Sequence, residues 1–172
     1  MGEYICSYRS PLGKITMESD GDNLTGLWLL GQKRSVGLKE IDEENLHVFE
    51  RTRAWLDCYF GGQCPTFTPP LAAHGSEFCR EVWKILCEIP YGGLVTYGDI
   101  AKRIAAQRGI KRMSAQAVGG AVGRNPISII IPCHRVIGAA GNLTGYGGGI
   151  EKKVELLKLE GVDVRKLHMP SL

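Results

Sequence analysis

The run Ile129-Ile130-Ile131-Pro132-Cys133-His134-Arg135 places a thiol, an imidazole and a guanidinium directly after a proline that ends an apolar stretch. These are residue types for nucleophilic chemistry. A cysteine of ordinary pKa, near 8.5, is only a few per cent thiolate at neutral pH. Half-ionising it takes roughly 2 kcal/mol of preferential stabilisation, which a positioned imidazole is able to supply. A free cysteine is more often a small buried hydrophobe, but a proline before it and two polar groups after it are poor company for packing. Neighbouring side chains diverge on a strand or a helix, so His134 reaches Cys133 only on a turn, which Pro132 permits, or through a water. A base also needs an acceptor to orient it. Glu160 follows Leu157 and Leu156 by three and four residues, on their apolar side, and stands at a helix C-terminus where the dipole disfavours a carboxylate. A glutamate that breaks two local rules suggests a specific partner. Glu160, His134 and Cys133 are therefore a candidate activated-thiol arrangement.

The elements that must position these groups read as follows. Tyr4–Tyr8, Lys14–Met17 and Leu24–Leu30 alternate with turn residues as a three-stranded antiparallel meander. A helix is expected over about 43–60, with Gly61-Gly62 beyond its end, and Cys64 to Pro70 is a proline-rich linker. The stripe Cys79, Val82, Trp83, Leu86 and Cys87 predicts a helix over 76–88 with both cysteines in the core. Thr96 and Asp99 have the spacing of a capping box before the next helix, Gly109 marks a turn, and Ser114 can cap a second short helix, Ala115 to Val122. Two short helices about a basic turn are a helix-turn-helix candidate, and the second is poor in side chains (Ser114, Ala115, Ala117, Gly119, Gly120, Ala121). Ile127 to Ile131 reads as a buried strand. The loop "GNLTGYGGG" from Gly141 to Gly149 lacks the Lys-Ser/Thr ending of a phosphate loop. A last helix runs from about Glu151 to Glu160 and stops at Gly161. The fold expected is α/β (α+β): residues 1–72 form a domain with a small antiparallel sheet and a helix, and residues 73–172 form a mainly helical domain with the helix-turn-helix.

At 172 residues the chain is long enough to bury a real core. No apolar stretch has membrane-spanning length, and the opening MGEYICSYRS lacks an export layout, so the cytoplasm is expected, or the nucleus in a eukaryote. None of the six cysteines forms a Cys-x-x-Cys pair, which argues against disulfides and against a metal site. Residues 97–135 hold Lys102, Arg103, Arg108, Lys111, Arg112, Arg124 and Arg135 against the single acid Asp99. Such a block suits either a phosphate-contacting surface or an ordinary solvated face.

"PCHRV", preceded by "AVGGAVGRNPISIII" and followed by "GNLTGYGGG" and "ELLKLEG", resembles the O6-alkylguanine-DNA alkyltransferase family, and the likeness spans nearly the whole chain. The resemblance implies direct reversal of DNA damage without a cofactor. A monomer binds double-stranded DNA in the minor groove, flips the alkylated guanine out of the stack and moves the alkyl group to its own cysteine, once. By position, Cys133 would be the nucleophile, with His134 and Glu160 drawing off its proton. Tyr97 would rotate a phosphate or donate to the base, and Asn125 would brace the active-site turn. Tyr146 would wall the alkyl pocket, and backbone groups of Val136, Gly147 and Gly148 would hold the base edge. Ser114, Ala115, Gln116, Gly119, Arg112, Arg124 and Arg135 would face DNA. Gln116 stands where the family commonly has an arginine that fills the gap left by the flipped base, so affinity or flipping is expected to differ. The same fold serves proteins that sense alkylated bases without repairing them, but those replace the cysteine. A cysteine hydrolase would need an oxyanion hole, and the basic, glycine-rich helix argues against that chemistry.

Overall fold

The computed structural model describes residues 3–34 and 40–168, so the outer ends of the two expected domains, 1–2 and 169–172, lie outside the described residues. The chain divides into two compact units, Met1–His74 with Pro126–Ile130, and Gly75–Asn125 with Ile131–Leu172.

The first unit is built on a meander. Strands β1 (Glu3–Ser10), β2 (Gly13–Ser19) and β3 (Leu24–Trp28) pair antiparallel in that order. The β1–β2 turn is tight because Ser10 Oγ accepts from Leu12 N–H and donates to the Gly13 carbonyl, while Gly13 adopts φ 98, which few residues other than glycine tolerate. Asp20 closes the next turn by accepting from the backbone of Asp22 and Asn23. Ile15, Met17 and Ser19 alternate inward along β2, and the helix α1 (His47–Phe60) covers that face with Val48, Phe49, Trp55, Leu56 and Tyr59. A short fourth strand, β4 (Glu40–Asp42), adds to β1 in parallel, a pairing that three residues of mixed character do not announce.

The second unit is mainly helical. Its helices are α2 (Glu77–Leu86), α3 (Tyr97–Arg108), α4 (Ala115–Gly123) and α5 (Ile150–Leu159). The starts follow from local chemistry: Ser76 accepts from Cys79 N–H, Thr96 and Asp99 form a reciprocal capping box, and Ser114 accepts from Ala117 N–H. Gly109 and Gly161 take φ 65 and 84, the left-handed residues at which α3 and α5 stop. α2 packs on α4, where Trp83 Nε1 donates to the Ala121 carbonyl at 2.9 Å. A two-residue parallel ladder joins β5 (Val95–Thr96) to β6 (Val136–Ile137).

Two expectations change. Cys79 is buried as expected, but Cys87 follows the last residue of α2 and is exposed. Ile127 to Ile131 is not a strand: Ile127 makes one bridge, to Leu27, and the chain then turns. Ile129 at φ 72 and the return of Ile130 N–H to the Ser128 carbonyl take the chain out of the extended path that a ladder needs.

Candidate active site

The segment that delivers Cys133 is a pair of three-residue turns. Ile130 N–H returns to the Ser128 carbonyl at 2.8 Å around Ile129, whose φ of 72 is strained for a β-branched side chain. Cys133 N–H then returns to the Ile131 carbonyl at 2.8 Å around Pro132, whose ring suits the φ of −81 found there. Cys133–Arg135 follows as one 3-10 turn, so the thiol and the imidazole stand on neither a strand nor an α-helix. Asn125, itself 2% exposed, donates through Nδ2 to the Ile131 carbonyl at 2.8 Å and ties the second turn to the end of α4.

Glu160 points inward from the end of α5. Its Oε2 pairs with His134 Nε2, and its Oε1 accepts from Arg135 Nε at 2.7 Å and from Gly92 N–H at 2.9 Å. Burial alone would raise its pKa, but these donors bring it down to about 2. Burial holds His134 below its usual value against the pull of Glu160, so at neutral pH the ring is neutral and donates Nε2–H to the carboxylate. That tautomer leaves the basic lone pair on Nδ1. Arg135, expected on the DNA face, is instead 8% exposed, held by Glu160 and by the Ile89 carbonyl at 2.7 Å. With His134 neutral, a carboxylate this deep needs a cation to offset its desolvation, and Arg135 supplies it.

The thiol of Cys133 is 7% exposed, and burial pushes its pKa up. Hydrogen bonds from Asn125 and Tyr146 and the charge of Lys153 pull the other way. The resting group is therefore a thiol with thiolate-stabilising partners already arranged around it. Lys153 was not foreseen. It is fully buried, burial lowers its pKa to about 8, and its Nζ donates to the Val136 carbonyl at 2.6 Å. The Val136 carbonyl, expected to hold the base edge, thus already has one donor, with a second lone pair remaining. Gly147 and Gly148 form the turn closed by Gly149 N–H on the Tyr146 carbonyl at 2.8 Å.

A cavity of about 610 Å³ lies along α4, lined by Tyr97, Ala115, Gln116, Gly119, Thr144 and Gly145 among others, a size typical of ligand sites. Gly119 faces the Tyr97 ring, where a Cβ would stand 3.7 Å from it. Tyr97 lies within electrostatic reach of Cys133, and burial raises its pKa. Arg103 and Arg108 of the basic block are paired with Glu88 and Glu81. Its exposed charges without an ion-pair partner among the described residues are Lys102, Lys111, Arg112 and Arg124.

Residues 77–162 match the family described as "6-O-methylguanine DNA methyltransferase, DNA binding domain", and residues 4–73 match its "ribonuclease-like domain". The chain belongs to the 6-O-methylguanine DNA methyltransferase family. It is 42% identical over 158 residues to a methylated-DNA–protein-cysteine methyltransferase of Methanosarcina acetivorans, covering 92% of this chain and 98% of that one. It is 44% identical over 162 residues to the protein of that name from Mycolicibacterium paratuberculosis, covering 94% and 92%. Among solved structures, Mycobacterium tuberculosis OGT in complex with DNA superposes with a TM-score of 0.78 at 39% identity, covering 98% of this chain and 96% of that one. Against this 6-O-methylguanine DNA methyltransferase background, Lys153 is the functional candidate missed in the sequence. A signal existed: it precedes Leu156, Leu157 and Glu160 by three, four and seven residues, so it occupies the buried stripe of α5.

Proposed function

We propose that this protein repairs double-stranded DNA by moving a methyl or larger alkyl group from O6 of guanine to Cys133 Sγ, once per molecule. The observation that carries the reading is the buried thiol flanked by Asn125, Tyr146 and Lys153 beside a His134–Glu160 pair, in a chain of this family. His134 takes the thiol proton at Nδ1, through a water where direct contact is not made, and Glu160, ionised far below neutral pH, stabilises the imidazolium that results. The sulfur attacks the alkyl carbon in line with the carbon–oxygen bond, whose electron pair stays on the guanine. Tyr97 donates to the base so that it leaves without full negative charge. The lesion is the donor and the protein the acceptor, so the reaction balances without a cofactor. A thioether is not hydrolysed, which limits each molecule to one event.

The second unit carries DNA binding and transfer as one domain, with α3 and α4 as the helix-turn-helix. Lys102, Lys111, Arg112 and Arg124 neutralise phosphates, and the smooth face of α4 (Ser114, Ala115, Gly119) suits the narrow minor groove. The damaged base, turned out of the stack at a cost of a few kcal/mol, enters the cavity beside Tyr97. Gln116 takes the place of an intercalating cation. The protein works as a monomer in the cytoplasm; among the described residues no helix is long and apolar enough to cross a membrane. A protein that only sensed alkylated bases would have no use for a thiol surrounded by partners for its anion. The test is stoichiometry: incubated with excess duplex bearing radiolabelled O6-methylguanine, each molecule acquires one methyl and a second challenge adds none. Continued uptake would overturn the proposal.

A further inference from the structure

We propose that Thr144 is a positioning residue for Tyr97: its hydroxyl holds the phenol so that the phenolic proton faces the departing base. The inference rests on the alkyl-transfer reading above and assigns it a residue that the reading does not require.

The geometry is specific. Thr144 Oγ1 donates to Tyr97 Oη at 2.9 Å, across 47 residues of chain, and both residues line the cavity along α4. A phenol has one proton to give and two positions at which to accept. With Thr144 filling one acceptor position, the Tyr97 proton is directed away from Thr144 and toward whatever enters the cavity. As the sulfur–carbon bond forms and the carbon–oxygen bond breaks, the electron pair left on guanine is neutralised by the Tyr97 proton. The proton released by Cys133 makes up the balance. Negative charge then builds on Tyr97 Oη, and the Thr144 hydroxyl is already aimed at it, so no group has to reorient. Burial opposes that charge and the Thr144 bond offsets it.

The local fold holds Thr144 in this pose. Leu143 is 2% exposed, packs with Ile137 and Leu157, and donates its N–H to the His168 carbonyl at 2.7 Å. The Thr144 methyl lies against Gly138, where an added Cβ would come within 3.0 Å of it, so the side chain has little room to rotate. Two residues further on, Tyr146 favours the thiolate form of Cys133. One short stretch, 143–146, thus serves both the sulfur that attacks and the phenol that assists departure.

Packing alone is the competing explanation, since the methyl fills space beside Gly138. Thr144→Val keeps the branched shape and deletes the hydroxyl, while Thr144→Ser keeps the hydroxyl and deletes the methyl. If the hydroxyl acts through Tyr97, single-turnover repair of O6-methylguanine duplex falls about fivefold in Thr144→Val and recovers in Thr144→Ser. In a Tyr97→Phe background, Thr144→Val then has no further effect. The Tyr97 phenol of the free protein, read by ultraviolet titration against Tyr97→Phe, also moves to higher pH in Thr144→Val only. If Thr144→Val repairs at the wild-type rate, or Thr144→Ser is the slower of the two, the inference is wrong. Failure of the wild-type protein to take up any methyl would instead sink the alkyl-transfer reading, while the phenol titration would still report on the hydrogen bond.

Discussion

Replacing Lys153 with methionine separates stability from chemistry. The buried ammonium titrates near 8 rather than at its ordinary 10.5. At about 1.4 kcal/mol per pH unit, keeping it charged costs the fold about 3 kcal/mol at neutral pH. Methionine relieves that cost but leaves the Val136 carbonyl without its donor, a loss of about 1–3 kcal/mol. The net change in stability at pH 7 is therefore between about 0 and +2 kcal/mol, by urea denaturation. Chemistry moves the other way. Coulomb's law gives one unit charge acting on another about 2 kcal/mol at roughly 8 Å and an effective dielectric of about 20. Loss of the cation beside the thiolate should slow methyl transfer by about 10- to 30-fold. The sign of the pH dependence follows from the lowered pKa. Above about pH 8 the folded protein gives up a proton that the unfolded chain holds to 10.5, so wild-type stability gains about 3 kcal/mol across that window. A Lys153→Met variant lacks the gain, with both proteins carrying Cys133→Ser to remove the thiol's own titration. A variant that repairs at the wild-type rate, or that loses more than about 2 kcal/mol, would refute the reasoning.

Three further expectations follow from the same site. Burial lowers the pKa of His134, so the transfer rate should hold as pH drops through 6.5 and decline only below it, while deprotonation of Lys153 gives an alkaline limb near pH 8; a rate halved by pH 6.5 would contradict this. Glu160→Gln leaves Arg135 and His134 without their carboxylate, and should cost about 3 kcal/mol in chemical denaturation and slow transfer at least tenfold. Gln116→Arg, on the exposed start of α4 beside the cavity, should raise affinity for methylated duplex without moving the melting temperature; unchanged affinity and repair rate would exclude an intercalating role for position 116.

Much of this arrangement was legible because it is local. The Thr96–Asp99 box and the Ser114 cap are short-range patterns, and the structure contains both. Glu160 was readable because it broke two rules on its own helix, and it is found paired with His134. Lys153 broke one of the same rules, but "EKKVELLK" looks like a solvated helix when each lysine is taken as exposed. The run Ile127 to Ile131 misled because β-branched residues favour strands, while the turn around Ile129 takes it out of any ladder. Arg135 was placed among DNA contacts by its neighbours in sequence, whereas its partner is 25 residues away. The Thr144–Tyr97 bond and the β1–β4 pairing join distant segments, and no periodicity announces either.

The most direct test of the account is peptide mapping after reaction with one equivalent of duplex carrying a single O6-methylguanine. The account predicts one added methyl, found on the peptide that contains Cys133, and none in a Cys133→Ser protein. A methyl on Cys6, Cys58, Cys64, Cys79 or Cys87 in its place, or lesion removal by the serine variant, would contradict it.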